Sequence, residues 1–483
     1  MPLLGVAGFG SAHATGVMAL AHFLLGLRIN LQTRKSSIPL YDAKNHTKSQ
    51  AWDGVMTHPR QILFKDPRAL HPRANNPRTH SKKQIQQVAD SIKAFGFQNP
   101  VLVDGDNCIV AGHARVEAAH LLGMQDIPTL EVRGLSPAQL RAYVIADNKI
   151  AEKAGWDRGL LALEVRDLSI ETDFKITDLG FETAEVDLLL GELSLDPDAV
   201  DVAPELDRSI PALTRPGDLW KIGDHFLYCG DSAAGRSYDI LLQGEQAQAV
   251  FTDPPYNVEI AGNVSGLGKV KHQDFAMASG EMSELEFASF LKKVFLQLVD
   301  HSTDGSLHYI CMDWRHVREL LEAGRAYTEL KNLCVWSKTN AGMGAFYRSQ
   351  HELVFVFKSG SARHINNIEL GRFGRNRTNV WTYAGATTFG KERDEGLAMH
   401  PTVKPVALVA DAILDCSNRG AIILDAFAGS GSTLVAAEKT GRRGYGIELD
   451  PHYCDTIIKR MKGLYGLEAT QQVSSGVYSR ASS

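Results

Sequence analysis

Apolar residues at Ile85, Val88, Ile92 and Phe95 recur at three- and four-residue steps, which places them on one helical face. Ser81 stands where an N-cap is needed and Gly96 where the helix must stop. The pattern then changes period. Pro100–Val103 and Cys108–Ala111 are short apolar runs separated by Asp104-Gly105, which predicts a hairpin. Gly112-His113-Ala114-Arg115 opens a second helix ending at Gly123, Ile127–Val132 reads as a strand, and Ser136-Pro137 starts a third helix. Further helical stretches run to about Gly191. Glu192–Pro216 then loses periodicity and collects acids and prolines, as a linker does.

Beyond that linker the chain alternates strands and helices. Asp218–Ile222 and His225–Cys229 alternate like a hairpin and close on Gly230-Asp231. Ala249-Val250-Phe251 is a short buried strand. Helices are predicted at Glu284–Val299 and Trp314–Ala323, and strands at Leu307–Cys311, Leu333–Trp336 and His351–Phe357. Ala421–Leu424 is again wholly apolar. A glycine-rich turn and a helix through Leu434 and Ala437 follow, and then a strand, Tyr445-Gly446-Ile447, ending in Glu448. Strand, glycine turn, helix and strand form a βαβ unit, which predicts a parallel sheet of the doubly wound α/β class.

The totals narrow the class. A chain of 483 residues exceeds one hydrophobic core, so two or three domains are expected. The net charge of −5 gives no global nucleic-acid signal, so any basic surface is local. Six dispersed cysteines without a Cys-x-x-Cys pair suggest neither a zinc knuckle nor a disulfide framework, and no metal is called for; a cytoplasmic protein fits. Residues 1–27 are apolar but lack a basic start, and His13 and His22 interrupt the run. They read as a poorly ordered extension, with a membrane anchor as the lesser reading. Lysines and arginines outnumber acids from Arg28 to Lys83, an arm suited to DNA phosphates or simply to solvent. The expected division is 1–67 extension, 68–160 first domain, 161–214 helical segment and acidic linker, 215–466 second domain with an insert over about 257–400, and 467–483 tail.

Chemistry concentrates at Asp253-Pro254-Pro255-Tyr256, where a strand gives way to a loop. Two prolines fix φ twice and remove two donors, so the loop is stiff and offers carbonyls. A carboxylate on one side and an aromatic ring on the other suit a flat molecule carrying an amino group. The carboxylate and the Pro254 carbonyl can accept both amino hydrogens while the ring of Tyr256 stacks, a description that a nucleobase with an exocyclic amine meets. The second motif is Asp425-Ala426-Phe427-Ala428-Gly429-Ser430-Gly431-Ser432-Thr433. Its glycines let a ligand approach the backbone, and Glu448 can hold ribose hydroxyls. The third glycine of the dinucleotide fingerprint is replaced by Leu434, so one adenosine without a pyrophosphate is the better ligand, and S-adenosylmethionine matches that. In a doubly wound sheet both motifs can line one crevice. Asn366–Arg377, with Arg372, Arg375 and Arg377 around Phe373, reads either as a loop for phosphate and base contacts or as a solvated loop.

Residues 215–466 resemble the site-specific DNA amino-methyltransferases. The Asp-Pro-Pro-Tyr motif precedes the insert and the glycine motif comes last, which is the permuted β-type order. His400-Pro401-Thr402-Val403-Lys404-Pro405 and Phe346-Tyr347-Arg348 with His351-Glu352 match further stretches of that family. The resemblance implies an α/β, Rossmann-like S-adenosylmethionine-dependent methyltransferase domain in permuted form. It implies catalysis by Asp253, Pro254, Pro255 and Tyr256. Asp231, Thr402, Lys404, Asp425, Phe427, Gly429, Ser430, Gly431 and Glu448 would bind the cofactor, Asp231 at its adenine and Thr402 with Lys404 at its methionine carboxylate. Arg348, Arg372, Arg375 and Arg377 would touch double-stranded DNA.

Residues 68–160 resemble the ParB/sulfiredoxin-like N-terminal domain, a smaller α+β unit. The matching pieces are Asn99-Pro100-Val101, Ile109–Arg115, Glu117-Ala118-Ala119, Leu122-Gly123 and Ala146–Lys149. Gly112, His113 and Arg115 would meet phosphates of a nucleotide or of DNA. His113 and Ala114 stand where a sulfiredoxin needs cysteine, so sulfinic acid reduction is not expected. The combined expectation is methylation of adenine N6, since Asp rather than Ser opens the motif. Cytosine N4 is one alternative; a ParB-type nucleotide-dependent DNA-binding or nuclease protein with an inactive methylase half, or a non-enzymatic DNA module, are others. A homodimer is left open.

Overall fold

The structure is a computed structural model and describes residues 61–169, 176–193, 206, 208–257, 280–339, 341, 346–368, 371, 375–383 and 403–472. Most of the N-terminal extension, much of the insert, Thr402, Arg372 and the tail beyond 472 lie outside the described residues.

The first unit carries a four-stranded sheet in the order β1-β4-β2-β3, from β1 (Ile62–Lys65), β2 (Val101–Val103), β3 (Ile109–Ala111) and β4 (Ile127–Glu131). Helix α1 (Lys82–Phe95) has the expected caps: the Ser81 hydroxyl accepts from the Gln84 amide, and Gly96 takes a φ of +80°. The hairpin β2–β3 turns on Asp104, whose carboxylate accepts from the amides of Asp106 and Cys108. Helix α2 (His113–Leu121) follows the left-handed Gly112. Leu70, Val101, Val103, Ile109, Val116, Ala119 and Ile127 form the core. One expectation is corrected here. Residues 62–65 fall in the stretch expected to be a poorly ordered extension, yet Ile62-Leu63-Phe64-Lys65 pairs antiparallel with β4. Basic residues and prolines on either side mask its β-prone run, which gains its order from a strand some sixty residues away.

Helix α3 (Pro137–Ala151) begins with a capping box of Ser136 and Gln139. Helices α4 (Arg158–Leu168) and α5 (Thr183–Leu193) then pack through Ala162, Val165, Val186 and Leu189. Helix α5 also sends Asp187 into the second unit. Its two oxygens accept from both terminal nitrogens of Arg442 at 2.8 Å each, and Arg419 approaches at 3.1 Å. Asp187 and Arg442 are almost wholly buried, so this is an ion pair removed from water. The amides of Thr214 and Leu213 donate to Asp455.

The second unit is built on a ten-stranded sheet in the order β11-β9-β10-β8-β7-β12-β13-β6-β5-β14. Its strands are β5 (Leu219–Ile222), β6 (His225–Cys229), β7 (Ala247–Thr252), β8 (Ser302–Met312), β9 (Glu329–Lys338), β10 (His351–Lys358), β11 (Val380–Tyr383), β12 (Ile422–Asp425), β13 (Arg443–Glu448) and β14 (Ala469–Gln472). The middle five, β8, β7, β12, β13 and β6, are parallel, and their apolar runs suit burial on both faces. On one face lie α6 (Gly235–Leu242), α7 (Glu284–Asp300) and α8 (Val317–Ala323). On the other lie α9 (Val406–Cys416), α10 (Ser432–Lys439) and α11 (Pro451–Tyr465). Helix α7 buries Phe287, Leu291, Val294, Phe295 and Leu298 completely, each worth about 1.5–3 kcal/mol of apolar transfer. Helix α10 lies so close to β13 that a Cβ on Gly444 would come within 2.9 Å of the Leu434 Cα. The sheet is the doubly wound, permuted α/β fold that the motif order predicts. Its strand order reverses direction between β7 and β12, which opens a crevice at their carboxyl ends.

Candidate active site

Four chain segments meet at that crevice because four strands point their ends at it. Strand β7 delivers Asp253 and Tyr256, β12 the glycine turn, β13 Glu448, and β6 the Gly230-Asp231 corner. Registers such as Val250 opposite Leu424 and Glu448 opposite Cys229 hold these ends level.

Asp253 is about one-fifth exposed and takes two strong donors. Its Oδ1 accepts the Tyr256 hydroxyl at 2.7 Å, and its Oδ2 accepts the Lys404 ammonium at 2.6 Å. Both donors also reach Glu352, the Tyr256 hydroxyl at 3.2 Å and Lys404 at 3.0 Å. Lys338 bonds the other Glu352 oxygen. The Lys404 ammonium lies 5.4 Å from the Tyr256 ring centre and 5.9 Å from that of Trp336. Burial pushes the Asp253 carboxyl above its usual range, with Lys404 acting against it. Burial also opposes the charge on Glu352, but the Lys404 and Lys338 ammoniums outweigh it and hold that carboxyl down at about 2. The cluster is a chain of alternating charge, Asp253, Lys404, Glu352, Lys338, with a phenol bridging the two acids.

The glycine turn is equally built. Gly429 and Gly431 take φ of +52° and +83°, left-handed conformations that L side chains avoid. A Cβ on Gly431 would also press to 3.0 Å on Ile457. The Ser430 carbonyl accepts from the buried Arg460 at 2.7 Å. Phe427 is half-buried and lies 6.1 Å from the Phe290 ring. Glu448 accepts from the amides of Gly429 at 2.8 Å and Asp450 at 2.9 Å. Burial pushes its carboxyl up to about 7, with those two amides acting against the rise. Asp231 stands exposed beside it, accepting from the Ala233 amide at 2.8 Å.

Several side chains sit otherwise than the sequence reading expects. Asp425 is buried with both oxygens spent on Thr252, Thr433 and the Phe427 amide, so it pins β7, β12 and α10 together. The Lys404 ammonium pairs with the carboxylates of Asp253 and Glu352. Arg375 and Arg377 do not form a phosphate-facing loop: they pair with Asp411 and Asp415 of α9 at 2.6–3.4 Å, and their charge is neutralised inside the protein. Arg348 is exposed and donates to the Ala341 carbonyl. In the first unit the Arg115 guanidinium folds back on the carbonyls of Asn99 and Pro100 at 2.6 and 2.8 Å, and His113 faces the Arg73 amide. A groove of about 550 Å³ lined by Gln84, Ser91, Asn99, Arg115 and Gly180 opens beside it.

Lys338 is missed by sequence reasoning, and Glu352 is noted there only as part of a family stretch, with no role given to it. The acid opens an apolar strand, and only the antiparallel course of β10 brings its beginning to the catalytic edge.

The fold and crevice define a Rossmann-like enzyme with a glycine turn facing a carboxylate–proline–proline–tyrosine loop. Residues 247–460 match the model of the DNA methylase family, 56–148 that of the ParB N-terminal domain, and 159–216 that of the ParB-methyltransferase HTH domain. The type II methyltransferase M2.DpnII of Streptococcus pneumoniae is 30% identical over 236 residues, covering 46% of this chain and 84% of that protein. The ParB-like nuclease domain-containing protein YnaK of Escherichia coli K12 is 43% identical over 84 residues, covering 17% of this chain and 97% of that protein. A solved structure of a DNA modification methylase candidate from Thermus thermophilus, complexed with S-adenosyl-L-methionine, aligns with a TM-score of 0.34 at 20% identity, over 50% of this chain and 93% of that one. The chain belongs to the DNA methylase family and carries a ParB-type N-terminal domain fused to its methylase half. The match over 159–216 covers α4 and α5, which the sequence reading takes as a helical segment and acidic linker.

Proposed function

We propose that the protein transfers a methyl group from S-adenosylmethionine to the exocyclic N6 of adenine in double-stranded DNA, in the cytoplasm. The observation that carries this is the placement of Asp253 and Tyr256 on the stiff loop after β7, next to the glycine turn after β12. When bound, S-adenosylmethionine supplies an electrophilic methyl on a sulfonium. The residues fit it: Gly429 and Gly431 leave the backbone bare, and Glu448 is an acceptor at the edge of the turn. A target amine cannot be reached inside the duplex, so the base is flipped out. Tyr256 then stacks on it, while Asp253 and the Pro254 carbonyl accept its two N–H groups. An amine nitrogen held there would be placed to take the methyl, the electron pair of the broken C–S bond remaining on sulfur. The proton then shed by the amine goes to Asp253 or to water. Arg348 is suited to a DNA phosphate. The turn Gly112–Arg115 and its groove are suited to a phosphate of a nucleotide or of DNA.

The test is tritiated methyl transfer to unmethylated DNA followed by nucleoside analysis. N6-methyladenine is expected, N4-methylcytosine would move the assignment to the other amine, and no incorporation would remove it.

Glu448→Ala should weaken S-adenosylmethionine binding about tenfold, the loss of one charge-assisted hydrogen bond. Ribose hydroxyls donate better to the ionised carboxylate. Wild-type affinity should therefore fall as pH drops below about 7, where Glu448 takes up a proton, and the variant should lack that dependence. Calorimetry across pH reads both, and an unchanged affinity would exclude Glu448 from the cofactor site.

A further inference from the structure

In the crevice, both donors that occupy Asp253 have a second acceptor already within reach. The Tyr256 hydroxyl is 2.7 Å from Asp253 and 3.2 Å from Glu352; the Lys404 ammonium is 2.6 Å from Asp253 and 3.0 Å from Glu352. This matters because Asp253 is needed elsewhere. A flipped base must bring its amino hydrogens to that carboxylate, and each oxygen already holds a short bond. An ammonium on Asp253 also cancels the negative charge that would stabilise an amine turning positive in the transition state.

We propose that Glu352 is a positioning residue that takes over the Tyr256 hydroxyl and the Lys404 ammonium when a target amine claims Asp253. The inference rests on the amino-methyltransferase reading and deepens it. Each donor needs to shift its preference by only a few tenths of an ångström, so the exchange requires no rearrangement of the backbone. Charge balance supports it. Two carboxylates face two ammoniums, and Lys338 stays on Glu352, so Glu352 remains ionised and ready to accept. Among the described residues, the Cys311 thiol of β8, which burial keeps neutral, and the buried Asp425 carboxyl, which burial pushes up, also act on the cluster. Releasing Lys404 to Glu352 leaves Asp253 with a net negative charge at the moment the amine approaches. Releasing the hydroxyl frees the Tyr256 ring to settle on the base.

The experiment compares single-turnover methyl transfer by the full chain, using tritiated S-adenosylmethionine and unmethylated bacterial DNA, for wild type, Glu352→Gln, Tyr256→Phe and the double variant. Glu352→Gln should slow transfer about twentyfold or more, because a neutral amide is a poor acceptor for an ammonium and both donors stay on Asp253. Tyr256→Phe keeps the stacking ring and should slow transfer only about two- to threefold. The double variant should recover about fivefold over Glu352→Gln, since one of the two donors that must leave Asp253 is gone. A residue that merely supports the fold would show no such recovery. S-adenosylmethionine affinity, read by calorimetry, should be the same in all four.

Wild-type turnover in Glu352→Gln, or a double variant as slow as the product of the singles, would overturn the proposal. Should Glu352→Gln lack a cooperative melt, Glu352→Asp keeps the charge at shorter reach; it should be slowed and again relieved by Tyr256→Phe, and absence of that relief overturns the proposal equally. A wild type that methylates no DNA refutes the functional reading and this inference together. A working wild type with an unaffected Glu352→Gln refutes the inference alone.

Discussion

Asp253→Ala should lower methyl transfer about a thousandfold or more while S-adenosylmethionine still binds. The amine gains positive character only as it attacks, so a carboxylate aimed at it stabilises the transition state more than the ground state. Removing a comparable preorganised group costs about 100- to 1000-fold in other enzymes, and here the carboxylate also orients the attacking nitrogen. The fold should survive. Lys404, the buried cation left behind, keeps Glu352 at 3.0 Å and is not orphaned. Glu448 and the glycine turn are untouched, so calorimetric affinity for the cofactor should be that of the wild type. Asp253→Asn keeps the shape and should be nearly as slow, which separates charge from space. Single-turnover tritium transfer is the measurement. Wild-type rates in Asp253→Ala would mean that the loop after β7 is not where the amine is held.

The largest stability effect is expected far from the crevice, at Asp187. Deleting one member of a buried ion pair leaves a buried charge without its partner and typically costs about 3–5 kcal/mol. Arg442 would retain the carbonyls of Thr440 and Ser417 but lose its only carboxylate among the described residues. Asp187→Ala should therefore lower Tm by about 6–20 °C for a unit of this size. Asp187→Ala combined with Arg442→Met should lose less than Asp187→Ala alone, because no unpaired charge is then buried. Scanning calorimetry decides it: a Tm within about 1 °C of the wild type would show that the pair contributes nothing net.

Local chemistry makes much of this molecule readable in advance. Ser81 and Gly96 bracket α1 because a cap and a left-handed stop are properties of the residues themselves. Gly429 and Gly431 announce a left-handed turn for the same reason. What escapes reading depends on partners remote in sequence. Arg375 and Arg377 look like a basic loop until α9 supplies Asp411 and Asp415. The two acids that Lys404 meets come from β7 and β10, far from it along the chain. Glu352 stands in a stretch that matches the family, but its role is not readable there, since strand direction is set by pairing and not by the strand's own residues. Asp187 looks like one acid of a surface helix, and only the docking of α5 shows it to be a keystone.

The position of β12 also governs how the protein is made. In space it lies at the centre of the sheet, between β7 and β13; along the chain it follows β7 only after β8, β9, β10 and β11. A ribosome therefore releases β7 long before one of its two neighbours exists. Strand β8 can zip onto one side during translation, but the other side of β7 carries unmatched backbone groups and an apolar Ala-Val-Phe run until β12 emerges. Throughout synthesis the half-built sheet offers a template to any foreign strand. Closure of the sheet beside β7 and assembly of the crevice therefore both wait for the segment from β12 to β13.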